Sequence, residues 1–169
     1  MILAALWFAA SVAAANDPIA PALAGKVQCY QPDVARKTCI SIGAYAKDAS
    51  GAIQNTATIL LRPQPLIVMR TTAPVVVKNN AICGTITEGD LRAAQFTIAG
   101  APADDANAEA LRNAVRPGYA ALLNREICTT YVPAGEEMAA QITIGGKRMP
   151  ALDQRVRWVS PADGYVVAP

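Results

Sequence analysis

Histidine is absent from all 169 residues, and that absence excludes more chemistry than any motif in the chain supplies. Histidine is the usual general base near neutral pH, the partner in Ser-His and Cys-His nucleophile pairs, and the commonest ligand of zinc and copper. Charge is scarce as well. Charged residues make up 17% of the chain, with 15 Lys and Arg against 13 Asp and Glu and no block of one sign. This balance lacks the basic footprint of a nucleic-acid binder. No apolar run reaches the roughly 20 residues that span a bilayer as a helix. No Gly-rich phosphate loop, Walker pattern, C-x-x-C, zinc spacing or nucleophile elbow occurs, so neither a cofactor nor a metal is expected.

What the chain does contain is an internal repeat. Ile82-Cys83-Gly84-Thr85 and the run from Gly89-Asp90 to Gly100 recur as Ile127-Cys128-Thr129-Thr130 and the run from Gly135-Glu136 to Gly146. With one residue inserted in the second copy, the shared pattern is I-C-x-T, a loop, then G-[DE]-x-x-A-A-Q-x-T-I-x-G. The copies span 82–100 and 127–146. Within each, Ala94, Phe96 and Ile98 alternate with Gln95 and Thr97, and Ala140, Ile142 and Ile144 alternate with Gln141 and Thr143. Period two marks a strand. Each copy therefore reads as a β-hairpin with Gly89 or Gly135 in its connection.

The N-terminus, residues 1–15, is apolar and carries no charge before Asp17. It reads as a secretory signal peptide cleaved after Ala15, with Ala24 as a later alternative, although Lys and Arg are missing from its start. A soluble periplasmic or secreted protein with no transmembrane helix after cleavage is the expectation, and 25–169 form a single domain. Four cysteines then remain, an even number that an exported chain turns into disulfides. Cys83 and Cys128 occupy equivalent places in the copies and pair if a pseudo-twofold axis passes near them, which leaves Cys29 for Cys39. A redox or metal role finds no support in their spacing.

Elsewhere, Cys39–Tyr45 and Thr56–Leu61 predict a hairpin around Asp48-Ala49-Ser50-Gly51. Pro63 and Pro65 break it, two β-branched runs follow at 66–69 and 75–77, and Asn79-Asn80 turns the chain. One stretch is helical: Asp104-Asp105 offers an N-cap, Ala108, Leu111 and Val115 recur at helical spacing, and Pro117-Gly118 interrupts. At the C-terminus, Val156 and Trp158 alternate with Arg155 and Arg157 before a turn into Tyr165–Val167, a further hairpin. The fold class is α+β and mainly antiparallel β: duplicated β-hairpin units with one interrupted helix between them, stapled by disulfides.

Candidate functional residues are few. Asp90 and Glu136 are equivalent acids that could face one another as catalytic carboxylates or hold Ca²⁺; as residues after Gly in a connection they also read as solvated turn residues. Gln95 with Thr97 and Gln141 with Thr143 form two polar rows that could bind a peptide or sugar, or merely face water. Arg155 and Arg157, near Lys147-Arg148, could contact an anionic envelope polymer or serve as edge charges, with Trp158 on the opposite face in the core. A Ser41 dyad with Lys37 or Lys47 rests on spacing alone. The leading functional expectation is a non-catalytic exported module that binds a protein or cell-envelope partner through an edge strand or the groove between the copies. The alternatives are a hydrolase of envelope polymer using Asp90 and Glu136, and a structural envelope protein.

Overall fold

The structure, a computed structural model, describes residues 17–169; the expected signal peptide over 1–15 lies outside the described residues. A one-turn helix α1 (Ala20–Leu23) precedes β1 (Val27–Tyr30), β2 (Thr38–Cys39), β3 (Ser41–Lys47) and β4 (Ile53–Pro63). β3 and β4 form the expected hairpin, with Lys47 opposite Ile53. Asp48 ties its turn, accepting hydrogen bonds from Ser50 N, Ser50 Oγ and Ala52 N. β5 (Leu66–Lys78) unites the two β-branched runs into one strand of 13 residues. Asn79 and Asn80 take φ of 50° and 61°, the positive values a tight two-residue hairpin turn needs, and return the chain as β6 (Ala81–Thr85) with Lys78 opposite Ala81. The next elements are α2 (Glu88–Arg92), β7 (Gln95–Ile98), β8 (Ala101–Pro102) and α3 (Asp105–Tyr119). β9 (Glu126–Ala134), β10 (Glu137–Ile144), β11 (Lys147–Arg148), β12 (Gln154–Val159) and β13 (Val166–Val167) complete the chain.

Eight of these strands close on themselves. The order is β4, β3, β1, β12, β10, β9, β6, β5, and β5 pairs back to β4, every contact antiparallel. A barrel of this size has room inside for packed side chains or one small ligand. Ile82, Tyr131, Ala140 and Val156 fill it with Tyr30, Tyr45, Val75 and Met138 beside them, and Ile19 and Ala22, from the segment containing α1, belong to the same buried cluster. Residues 17–24 thus plug one end. Beyond the other end, β5 extends past the barrel and pairs with β7. There Met69, Ala94 and Phe96 pack under Ala108, Leu111, Val115 and Tyr119 of α3. The outer wall carries ion pairs, Arg155 with Glu137 and Arg157 with Glu136, while the buried apolar cluster lies inside. No helix among the described residues is long and apolar enough to cross a membrane.

Both disulfides form as expected. Cys29 bonds Cys39, and Cys83 bonds Cys128 across directly opposed positions of β6 and β9. The fold is β-rich and mainly antiparallel, with three α-helices among the described residues, of which one is long. The two copies diverge after their cysteine strands. In the second, Gly135 takes φ +69° and turns β9 into β10 as a hairpin. In the first, Thr87 caps α2 instead: its hydroxyl accepts from Asp90 N while Asp90 Oδ2 accepts from Thr87 N. This reciprocal cap nucleates a helix, and the second copy has Val132 and Pro133 where the first has Thr87 and Glu88. β6 and β7 consequently do not pair with each other but share the edge of β5, at 75–78 and 67–70.

Two further expectations are corrected. β13 does not form a hairpin with β12, because β12 already has β1 on one side and β10 on the other; it pairs in parallel with β2. The helix is not interrupted at Pro117-Gly118. α3 runs through Pro117 to Tyr119, capped at its start by Asp104, whose carboxylate accepts from Asn107 N. Pro117 falls in the last turn, where it removes the one hydrogen bond its N–H would have made to the carbonyl of Asn113 and the helix ends two residues later.

Candidate functional site

The most unusual chemistry in the molecule lies inside the barrel. Gln28 on β1 points inward and is fully buried. Its Oε1 accepts from the hydroxyls of Tyr30 at 2.9 Å, Tyr45 at 2.9 Å and Tyr131 at 3.2 Å, and the Tyr30 and Tyr131 hydroxyls stand 2.8 Å apart. Period two puts Gln28 and Tyr30 on the inner face of β1, and the barrel brings β3 and β9 round to complete the cluster. Gly43 makes the space: a Cβ there would lie 3.2 Å from Gln28 Oε1. Burial is the largest cause pushing all three tyrosine hydroxyls above the ordinary value; Tyr131 and Tyr45 add to it for Tyr30, and Tyr131 adds to it for Tyr45. They stay protonated at neutral pH and act as neutral donors and acceptors. Gln28 Nε2 has no protein partner. A buried amide nitrogen in that condition costs about 1–3 kcal/mol.

Next to this cluster the lumen holds a cavity of about 160 Å³. Tyr30, Tyr45, Tyr131, Asn55 and Thr129 give it a polar side, and Val75, Ile82 and Ile127 an apolar one. No charged residue lines it. At the plugged end, two concavities of about 400 and 420 Å³ adjoin, sharing Asp17, Pro18 and Asn80. Pro133, Met138 and Trp158 line the first, Leu23 and Val77 the second. Leu23 is 55% exposed and Val77 40%. Trp158, placed in the core by its alternation with the arginines, is half-buried at this rim and packs its ring 6.4 Å from that of Tyr45.

The residues singled out in the sequence are scattered. Asp90 is the reciprocal cap of α2 and shares a concavity with Glu126. Glu136 is 85% exposed in the β9–β10 turn and pairs with Arg157 at 3.3 Å. Glu126 begins β9 and Glu136 lies past its end, so about 26 Å of strand separates the two regions. Catalytic carboxylates work at about 5–10 Å; Asp90 and Glu136 do not form such a pair. Gln95 and Thr97 lie on β7, outside the barrel wall, whereas Gln141 and Thr143 lie on β10 opposite Thr130 and Cys128. β5, β6 and β9 intervene, so the two rows make no common surface. Arg155 and Arg157 are neutralised by Glu137 and Glu136. Among the described residues barrel closure leaves no long free edge for strand addition, and the seam between the copies is a paired and disulfide-bonded ladder.

Among the described residues, Cys83, Glu126 and Cys128 are the one group close enough to share a metal ion. Its sulfurs are bonded to each other and Glu126 pairs with Lys78 at 2.9 Å, so no free thiolate is offered. Gln28 and the three tyrosines were not singled out in the sequence. Their signal was a polar residue between apolar ones at inward positions of short strands, which alternation alone cannot distinguish from an outward face. Comparison of the chain with protein families, characterised proteins and solved structures finds no match.

Proposed function

We propose that the protein is a non-catalytic exported module that binds a protein partner at the plugged end of its barrel. The observation that carries this is the gathering of Leu23, Val77, Pro133, Met138 and Trp158 around two adjoining concavities. Apolar and aromatic residues at a rimmed concavity are the usual core of a protein interface. Other exposed apolar residues, such as Val34, Ile40, Leu152 and Val166, lie apart from these two concavities. Two disulfides fit an oxidising compartment outside the cytosol. Cleavage after Ala15 would keep Ile19 and Ala22 in the core, whereas cleavage after Ala24 would remove the plug and with it half of the proposed surface.

The test is photocrosslinking in the exporting cell, with the crosslinker in place of Val77 and, separately, of Thr56 on the outer wall. One dominant protein captured from position 77 and absent from position 56 supports the reading, and a Leu23→Asp variant that keeps both disulfides should lose it. Recovery of uncrosslinked protein from both positions refutes it.

A further inference from the structure

The lumen cavity shares only Tyr131 with the lining of the plugged-end concavities and carries an inference of its own. We propose that it binds one small, uncharged, single-ring molecule that donates a hydrogen bond to the tyrosine cluster. Size comes first. A cavity of about 160 Å³ matches the space of roughly 150 Å³ that takes one benzene ring in a protein core. Charge comes next: no ionised side chain lines the walls, and an ion entering there would lose its hydration without a counter-charge. Water can occupy the tyrosine side, but a buried water needs two to four polar partners and Val75, Ile82 and Ile127 on the far side offer none.

The polarity of the ligand follows from counting protons. Each tyrosine hydroxyl has one, and the geometry directs all three to Gln28 Oε1 or to a neighbouring hydroxyl. What the three oxygens can still offer is lone pairs. A ligand hydroxyl or N–H can use them, while an ether or ketone finds no free tyrosine proton and would have to turn to Asn55, Thr85 or Thr129 on the same walls. The ring would then lie against the isoleucines and Val75.

Phenol, anisole and benzoate share the ring and differ in the group that matters. Calorimetric titration of the purified, oxidised protein should give saturable one-to-one phenol binding, anisole about fivefold weaker, and no heat from benzoate. Titration runs to about 10 mM, since a seven-atom ligand of ordinary efficiency binds with a dissociation constant on the order of 1 mM. Ala73→Leu, which adds bulk to the cavity wall, should abolish phenol binding. In the wild type, phenol should shift the ring NMR signals of Tyr30, Tyr45 and Tyr131 and leave Tyr165, under the outer wall, unmoved. Benzoate equal to phenol, no phenol binding over that range, or a response at Tyr165 alone overturns the proposal, and the NMR arm decides it even if Ala73→Leu does not fold.

Discussion

Replacing Gln28 by Leu should change the sign of a second mutation. In the native barrel the Tyr45 hydroxyl donates to Gln28 Oε1 at 2.9 Å. Tyr45→Phe removes that bond but leaves the amide oxygen with Tyr30 and Tyr131, so nothing is orphaned and the cost is about 1 kcal/mol. Gln28→Leu removes the acceptor itself. Tyr30 and Tyr131 share one hydrogen bond at 2.8 Å, so the second proton of that pair and the Tyr45 proton both lose their acceptor, each worth about 1–3 kcal/mol of destabilisation. Adding Tyr45→Phe to Gln28→Leu then removes one of these two orphans and should restore about 1–2 kcal/mol. The coupling between the two positions is therefore about 2–3 kcal/mol, at the high end for residues in contact. Urea denaturation of the four proteins in the oxidised state measures it, with m unchanged as the check that the same surface is exposed. In thermal terms, for a domain of this size, Tyr45→Phe should lower Tm by about 3 °C in the wild type and raise it by about 3–6 °C beside Gln28→Leu. A loss of similar size in both backgrounds would refute the role given to the amide.

The same tyrosines set an alkaline limit. Their folded values are raised above 10, so above about pH 10 the unfolded chain loses protons that the folded one keeps; the stability they contribute is complete below that pH and falls as pH rises, by about 1.4 kcal/mol per unit for each such group. The urea midpoint should be flat near neutrality and drop between pH 10 and 11; an unchanged midpoint there contradicts the burial. Cys83 and Cys128 close a loop of 45 residues, and Cys83→Ala with Cys128→Ala should cost about 4 kcal/mol, against about 2.7 kcal/mol for the shorter Cys29–Cys39 loop. Equal losses from the two pairs in denaturant titrations would contradict that ordering.

The disulfides and the antiparallel β-class were legible because both follow from short-range pattern: equivalent cysteines in a repeat, and alternation of period two. Closure into a barrel was not. It depends on β1 lying between β3 and β12, a contact between distant parts of the chain that no local period encodes. The divergence of the copies was readable in principle, since Thr87-x-x-Asp90 is a reciprocal-cap sequence and Val132 cannot replace Thr87 in it. The repeat signal outweighed it. Tyr131 illustrates the remaining gap: it replaces Ile86 of the first copy, and only the closed lumen shows that its hydroxyl meets those of residues on β1 and β3.

The position of β12 also dictates the order in which the molecule can be finished. A chain that has delivered residues 17–150 holds seven of the eight barrel strands and no enclosed interior, because β1 and β10 both wait for residues 154–159. Local hairpins such as β3–β4 and β9–β10 can assemble early, but ring closure joins residues near opposite ends of the chain and pays its loop entropy late. Until then Gln28 and its tyrosines face water, and the segment that plugs the barrel has no completed end to enter. Folding of the lumen is thus a terminal event, timed by the last strand to arrive.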